Sequence, residues 1–191
     1  MDAVFNLGNV NDIYNRGWAI REAFLKPGPH NAFPGMATDP VGAGILDYLG
    51  RLPGDHLEIG TGLNAASAYV VAQAKTEGHV YTIDNAENKV RAIKALIEGR
   101  KTRDRITFAC TTSAELPWPG PFTSAYIDGE HTYEGVMRDW LVVSRLAEYV
   151  VFDDVLPLYE GIMRAYAEAR LTPGWQEVFF LGRVGVLWKS Q

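Results

Sequence analysis

The sequence has a single cysteine, no long apolar run and no surplus of positive charge. Each shortage removes a class of explanation. One cysteine, Cys110, cannot close a disulfide within the chain, and its place in Ile106-Thr107-Phe108-Ala109-Cys110 leads us to expect a small buried core residue. No apolar stretch approaches the length needed to cross a bilayer. The opening Met1-Asp2-Ala3-Val4-Phe5-Asn6 has neither a basic n-region nor a long apolar h-region, so a cytoplasmic protein with no membrane partner is expected. Lys and Arg number 18 against 23 Asp and Glu, a formal net charge of −5. Nucleic-acid binding leans on clustered Lys and Arg, and the one basic cluster, Arg100-Lys101-Thr102-Arg103, reads as a solvated helix end or loop; no nucleic-acid partner is expected. Internal repeats and low-complexity tracts are also lacking.

What is present is an ordinary globular composition, 47% hydrophobic and 21% charged over 191 residues, which suits one domain with a sizeable core. From Thr38 onward, short β-branched runs alternate with helical patterns, with Gly, Pro, Asn and Asp between them. Strands are expected over 55–60, 79–84, 105–110, 122–128, 149–153, 175–181 and 183–189. Helices are expected over 64–77, 86–99, 133–148 and 157–171, as the spacing of Val136, Trp140, Val143 and Leu146 illustrates. Only Gly182 separates the last two runs, so no helical crossover fits and they must form an antiparallel hairpin. The fold class expected is α/β: a Rossmann-like seven-stranded, mostly parallel sheet with a C-terminal antiparallel hairpin and helices on both faces. Trp118, Trp140, Trp175 and Trp188 are expected in the core.

Residues 1–37 differ. A weak helical pattern from Ile13 to Leu25 precedes the loop-like Lys26-Pro27-Gly28-Pro29-His30-Asn31-Ala32-Phe33-Pro34-Gly35. Three readings stay open for this arm: a helix covering a sheet edge, a substrate lid, and a contact between copies in a homo-oligomer; neither His30 nor Arg16 is expected to touch substrate.

The segment His56-Leu57-Glu58-Ile59-Gly60-Thr61-Gly62-Leu63-Asn64 is a strand entering a glycine turn. Gly60 and Gly62 let the backbone turn sharply and approach a ligand, and the following helix aims its free N–H groups at the turn. Val80-Tyr81-Thr82-Ile83-Asp84 ends the next strand in an acidic residue. Parallel strands end on one side of the sheet, so Asp84 should face the same crevice and accept hydrogen bonds from ribose hydroxyls. An adenosine-bearing ligand is expected. Three functions accommodate it: a methyltransferase, a nicotinamide-dependent oxidoreductase, and a non-catalytic adenosine-binding module that assembles through its arm. The terminal hairpin disfavours the oxidoreductase.

Glu58-Ile59-Gly60-Thr61-Gly62 and Ile83-Asp84 resemble motifs I and II of the class I S-adenosylmethionine-dependent methyltransferases, and the resemblance spans about residues 38–189. It implies an arm or lid over 1–37 and a methyltransferase domain over 38–191. It further implies that Gly60 and Gly62 hold the methionine part of S-adenosylmethionine, that Asp84 holds its ribose, and that Glu58 supports the turn. Ser113 lies where the adenine is usually contacted. The family often has a third glycine where this chain has Asn64.

A second acidic set follows. Tyr126-Ile127-Asp128-Gly129-Glu130-His131 closes the fourth strand and Val151-Phe152-Asp153-Asp154 closes the fifth, so both emerge beside the crevice. Carboxylates gathered there repel one another unless a cation neutralises them. Mg²⁺ on Asp128, Asp153 and Asp154 satisfies this and leaves positions for substrate oxygens, while His131 is placed to take a hydroxyl proton as general base. Glu130 reads as a solvated residue. Ile127-Asp128-Gly129-Glu130-His131-Thr132-Tyr133-Glu134-Gly135-Val136 with Phe152-Asp153-Asp154 resembles the metal-dependent O-methyltransferases of antibiotic sugars and macrolides and the related group named after cephalosporin hydroxylase. That resemblance implies a catalytic pair Asp128 and His131, with Asp128 also at the cofactor, and a small-molecule acceptor hydroxyl.

Overall fold

The computed structural model describes residues 10–25, 39–62, 66–100 and 102–190. Along the chain these form α1 (Val10–Leu25), α2 (Pro40–Arg51), β1 (His56–Ile59), α3 (Ala66–Ala74), β2 (Val80–Asp84), α4 (Glu87–Ile97), β3 (Ile106–Cys110) and β4 (Phe122–Ile127). They continue with α5 (Tyr133–Leu146), β5 (Ala147–Phe152), α6 (Glu160–Ala169), β6 (Trp175–Leu181) and β7 (Val184–Lys189). The seven strands make one sheet in the order β3-β2-β1-β4-β5-β7-β6. The first five run parallel, and β7 lies antiparallel to both β5 and β6, as the short link between the last two runs requires. The link is the two-residue turn Gly182-Arg183, with Leu181 opposite Val184. Arg183 is thereby a turn residue rather than the first residue of a strand.

Helices cover both faces. Leu46, Val70 and Ile93 from α2, α3 and α4 form one apolar layer with Val80 and Ile106 of the sheet. Trp140, Val143 and Ile162 from α5 and α6 form the other with Leu57, Ile83 and Phe152. Burying such side chains is worth roughly 1.5–3 kcal/mol each before entropy is counted, so these two layers hold the sheet between them. Trp140 and Trp175 pack edge to face at 4.8 Å inside the second layer, and Trp118 and Trp188 are partly buried against the layers.

The helix α2 is an element that strand alternation does not announce, yet its start is coded locally. Pro40 takes a position that lacks a hydrogen-bonding need, and the Asp39 carboxylate accepts the Gly42 N–H at 2.9 Å. Within the arm, α1 packs along α2, and a side chain on Gly44 would lie 2.1 Å from the Ile13 carbonyl oxygen, so only glycine lets the two backbones approach this closely. Arg16 pairs with Asp47 of α2 at 2.6 Å rather than facing the crevice. His30 and Asn64 lie outside the described residues. Cys110 is exposed, against expectation: it is the last residue of an edge strand, beyond the cover of the helices. Among the described residues no helix is long and apolar enough to cross a membrane.

Candidate active site

The register of the sheet sets the level of the site. Ile59 stands opposite both Ile83 and Ile127, and Ile127 stands opposite Phe152, so Gly60, Asp128 and Asp153 each follow the last paired residue of their strands, level with Asp84, the last residue of β2. The ladder continues past those pairs: Gly60 donates its N–H to Ile83 at 2.9 Å, Asp128 to Ile59 at 2.9 Å and Asp153 to Ile127 at 3.1 Å. Because β1 has β2 on one side and β4 on the other, the direction of chain progression reverses there, and a crevice opens at the carboxyl ends of the strands. The crevice has a volume of about 320 Å³ and is lined by Gly60, Gly62, Asp84, Ser113, Asp128 and Asp139, among others.

Gly60 is demanded twice. Its φ is +95°, and a Cβ there would lie 2.0 Å from the Asp128 carbonyl oxygen, so the β1 turn can pass the end of β4 only without a side chain. Glu58 does not line the crevice. It is fully buried beneath the turn, where its two oxygens accept hydrogen bonds from the hydroxyls of Ser67 and Thr82, tying α3 and β2 to β1. Burial pushes its carboxyl up to about 7, with those two hydrogen bonds opposing. Asp84 accepts the Ala86 N–H at 2.9 Å through Oδ1, and its Oδ2 is 3.9 Å from Lys89 Nζ. Ser113 is buried and donates to Asp139 Oδ1 at 2.5 Å.

The acidic set divides in two. One donor atom each from Asp128, His131 and Asp154 lies within 4.8 Å of the others. The imidazole Nε2 is 3.9 Å from Asp128 Oδ1 and 3.8 Å from Asp154 Oδ2, and the ring stands edge to face on Tyr159 at 4.6 Å. Asp128 raises the pKa of His131 most, burial opposes, and Asp154 adds to the rise. Burial pushes the Asp128 carboxyl up to about 6, with the charges of Asp153 and Asp154 adding and His131 opposing. Burial also raises Asp154, followed by the charge of Asp153. Asp154 has a φ of 56°, a left-handed conformation that aspartate tolerates better than most residues. His131 lies just before Thr132, whose hydroxyl oxygen caps α5 by accepting the Gly135 N–H.

Asp153 is committed elsewhere. Its Oδ1 accepts from Arg183 Nε at 2.8 Å and from the Asp154 N–H at 2.8 Å, and its Oδ2 accepts from the Tyr126 hydroxyl at 2.6 Å and from Arg183 Nη2 at 3.0 Å. The three-aspartate ligand set expected for a metal is therefore not assembled here, because Arg183, Tyr126 and the Asp154 N–H already occupy both oxygens of Asp153. Arg183 also reaches Asp154 Oδ1 at 2.6 Å and lies 3.9 Å from Asp39. Glu130 sits at the surface, paired with Arg138 at 3.1 Å.

Arg183, Tyr126 and Asp139 belong to the site without having been singled out from sequence. Asp139 had a signal: it falls on the stripe of Val136, Trp140 and Val143, where a carboxylate is out of place on an apolar face. Arg183 and Tyr126 had none, since their roles depend on partners about thirty residues away.

A five-stranded parallel sheet closed by an antiparallel hairpin, with an acid-lined crevice at the carboxyl ends of its strands, is the layout of class I methyltransferases. A family model described as a methyltransferase domain matches residues 57–155, from β1 through the end of the fifth-strand acidic pair, and the chain belongs to that family. Among solved structures, it is similar to the O-methyltransferase TomG from Streptomyces achromogenes, in complex with S-adenosylmethionine: 15% identity, 95% of this chain and 91% of that one covered, TM-score 0.66. It is similar to an O-methyltransferase from Bacillus cereus in complex with S-adenosylhomocysteine, at 17% identity over 97% and 93% of the two chains, TM-score 0.62. It is also similar to the S-adenosylhomocysteine-bound methyltransferase PaMTH1 from Podospora anserina, at 12% identity over 95% and 88%, TM-score 0.68. These likenesses are of fold. A search of curated proteins gave no match.

Proposed function

We propose that this chain is an S-adenosylmethionine-dependent O-methyltransferase, assisted by Mg²⁺, that methylates a hydroxyl of a small molecule such as a sugar or natural product. The observation that carries this reading is the shared level of Gly60, Asp84 and Asp128 in one crevice, with His131 beside Asp128. The similar O-methyltransferases from Streptomyces achromogenes and Bacillus cereus, which have S-adenosylmethionine and S-adenosylhomocysteine bound, support it.

S-adenosylmethionine supplies an electrophilic methyl group when bound. Asp84, whose side chain is nearly buried at the crevice, accepts from the ribose hydroxyls, and the Gly60 turn lets the backbone close on the ligand where a Cβ would already be blocked. Asp128 and Asp154 fit a hard cation, which is commonly bound by one or two carboxylates with water and substrate completing the shell, and it would lower the pKa of the acceptor hydroxyl. Asp153 instead keeps Arg183 in place behind them. Nε2 of His131 lies beside the same two carboxylates, at 3.9 Å and 3.8 Å, and would take the proton of the acceptor hydroxyl. Most of the acceleration then comes from alignment.

Methyl transfer from labelled S-adenosylmethionine to a panel of vicinal-diol sugars and phenols tests the proposal. Turnover is expected with at least one acceptor, and His131→Gln should lower kcat by about 10²–10⁴ with S-adenosylhomocysteine binding unchanged. Cofactor binding with no transfer to any acceptor would instead support a non-catalytic adenosine-binding module.

A further inference from the structure

Arg183 lies outside residues 57–155, which the family model matches, and yet its side chain ends on both members of the Asp153-Asp154 pair. Nε and Nη2 donate to the two oxygens of Asp153 at 2.8 Å and 3.0 Å, and Nη2 also lies 2.6 Å from Asp154 Oδ1. The two N–H groups of Nη2 thus serve one aspartate each. The backbone of Arg183 is fixed as well, since its carbonyl accepts the Val155 N–H at 2.9 Å.

Tying the β6–β7 hairpin to β5 requires only the bidentate grip on Asp153. The contact with Asp154 is additional, and it works against a cation, because a guanidinium beside two carboxylates repels any positive ion they hold. What the contact supplies is direction. Asp154 has a φ of 56°, a conformation that in residues other than glycine clusters at functional sites, and its N–H is held by Asp153 Oδ1 at 2.8 Å. With Oδ1 taken by Arg183, the remaining oxygen is Oδ2, which is the one 3.8 Å from His131 Nε2. A carboxylate gripped at one oxygen loses the freedom to swing out of the site, as is usual where an outer partner orients a metal ligand.

We propose that Arg183 is a positioning residue: by holding Asp154 Oδ1 it aims Oδ2 into the space shared with Asp128 and His131, and so tightens the binding of a divalent cation there. This rests on the reading of Asp128 and Asp154 as cation ligands. The proposal and a purely electrostatic role differ in sign. Removing a positive charge alone strengthens cation binding, whereas losing the orientation of Asp154 weakens it.

Titration of the full chain with Mn²⁺, followed by the electron paramagnetic resonance signal of the free ion, reads that sign. Arg183→Met is expected to weaken Mn²⁺ binding by at least about tenfold, as the loss of an outer partner of a metal ligand does. In an Asp154→Asn background the same change should no longer weaken binding, because the carboxylate through which it acts is gone. Arg183→Lys keeps the charge without the planar fork that spans two aspartates, and its affinity should fall between wild type and Arg183→Met. A smaller loss or a gain in Arg183→Met, or an equal loss in the Asp154→Asn background, overturns the proposal. Should Arg183→Met not fold, Arg183→Lys decides alone, and wild-type affinity in that variant overturns it. Absence of Mn²⁺ binding by the wild-type chain overturns the cation reading itself, and this inference with it.

Discussion

Arg183 grips Asp153 with two parallel hydrogen bonds, Nε to Oδ1 at 2.8 Å and Nη2 to Oδ2 at 3.0 Å, from a turn thirty residues further along the chain. This bidentate pair joins the β6–β7 hairpin to the end of β5, and it is mostly out of water, Asp153 being 5% exposed. Removing one partner leaves the other as an uncompensated buried charge. Arg183→Met is expected to cost about 3 kcal/mol, read as a lower denaturant midpoint with an unchanged slope. Asp153→Asn should cost a similar amount, and the double variant less than the sum, because both changes remove one interaction.

The same pair leaves Asp128 and Asp154, and not Asp153, with an oxygen each open to the proposed cation. Asp153 has its oxygens occupied, whereas Asp128 and Asp154 each present one toward His131. Titration with Mn²⁺, followed by its electron paramagnetic resonance signal, should show Asp128→Asn and Asp154→Asn weakening binding by more than about tenfold. Asp153→Asn should lower stability and leave Mn²⁺ affinity near that of the wild type. A chelator should suppress methyl transfer without releasing S-adenosylhomocysteine; the reverse ranking of the aspartates would contradict this division of roles.

Glu58 makes stability depend on pH in a direction opposite to that of a salt-bridged acid. Its carboxyl is raised from an ordinary 4.5 to about 7 in the folded chain, chiefly by burial. The folded state thus holds its proton more tightly than the unfolded state. The stabilisation is fully present below the unfolded value and is lost as pH rises toward the folded one. Melting temperatures measured across that window should fall for the wild type and change less for Glu58→Gln, which stays neutral while keeping one acceptor for Ser67 or Thr82.

The parts of this molecule that repeat locally were legible in the sequence. Alternation of strands and helices, the Gly182 hairpin and the acidic strand ends follow from period and spacing, and the level placement of Gly60, Asp84, Asp128 and Asp153 follows once the strands pair in register. What stayed hidden depends on distant partners. Nothing near Asp153 announces that Arg183 and Tyr126 will saturate it. Cys110 reads as core because its run is apolar, but it is the last residue of its strand, past the cover that buries Ile106 and Phe108, and where that cover stops is not encoded in the run itself. Glu58 sits within the glycine motif and yet faces the interior, since it points away from the turn toward Ser67 and Thr82. Asp139 was visible as an acid on an apolar stripe, a conflict between pattern and residue that marks functional positions more often than errors.

Calorimetric titration with S-adenosylhomocysteine asks whether the crevice beside Gly60 binds S-adenosylmethionine through Asp84. Measurable binding to the wild-type chain is expected, with a loss of more than about tenfold in affinity for Asp84→Ala and little change in melting temperature. No heat at saturating ligand, or equal affinity in Asp84→Ala, would contradict it.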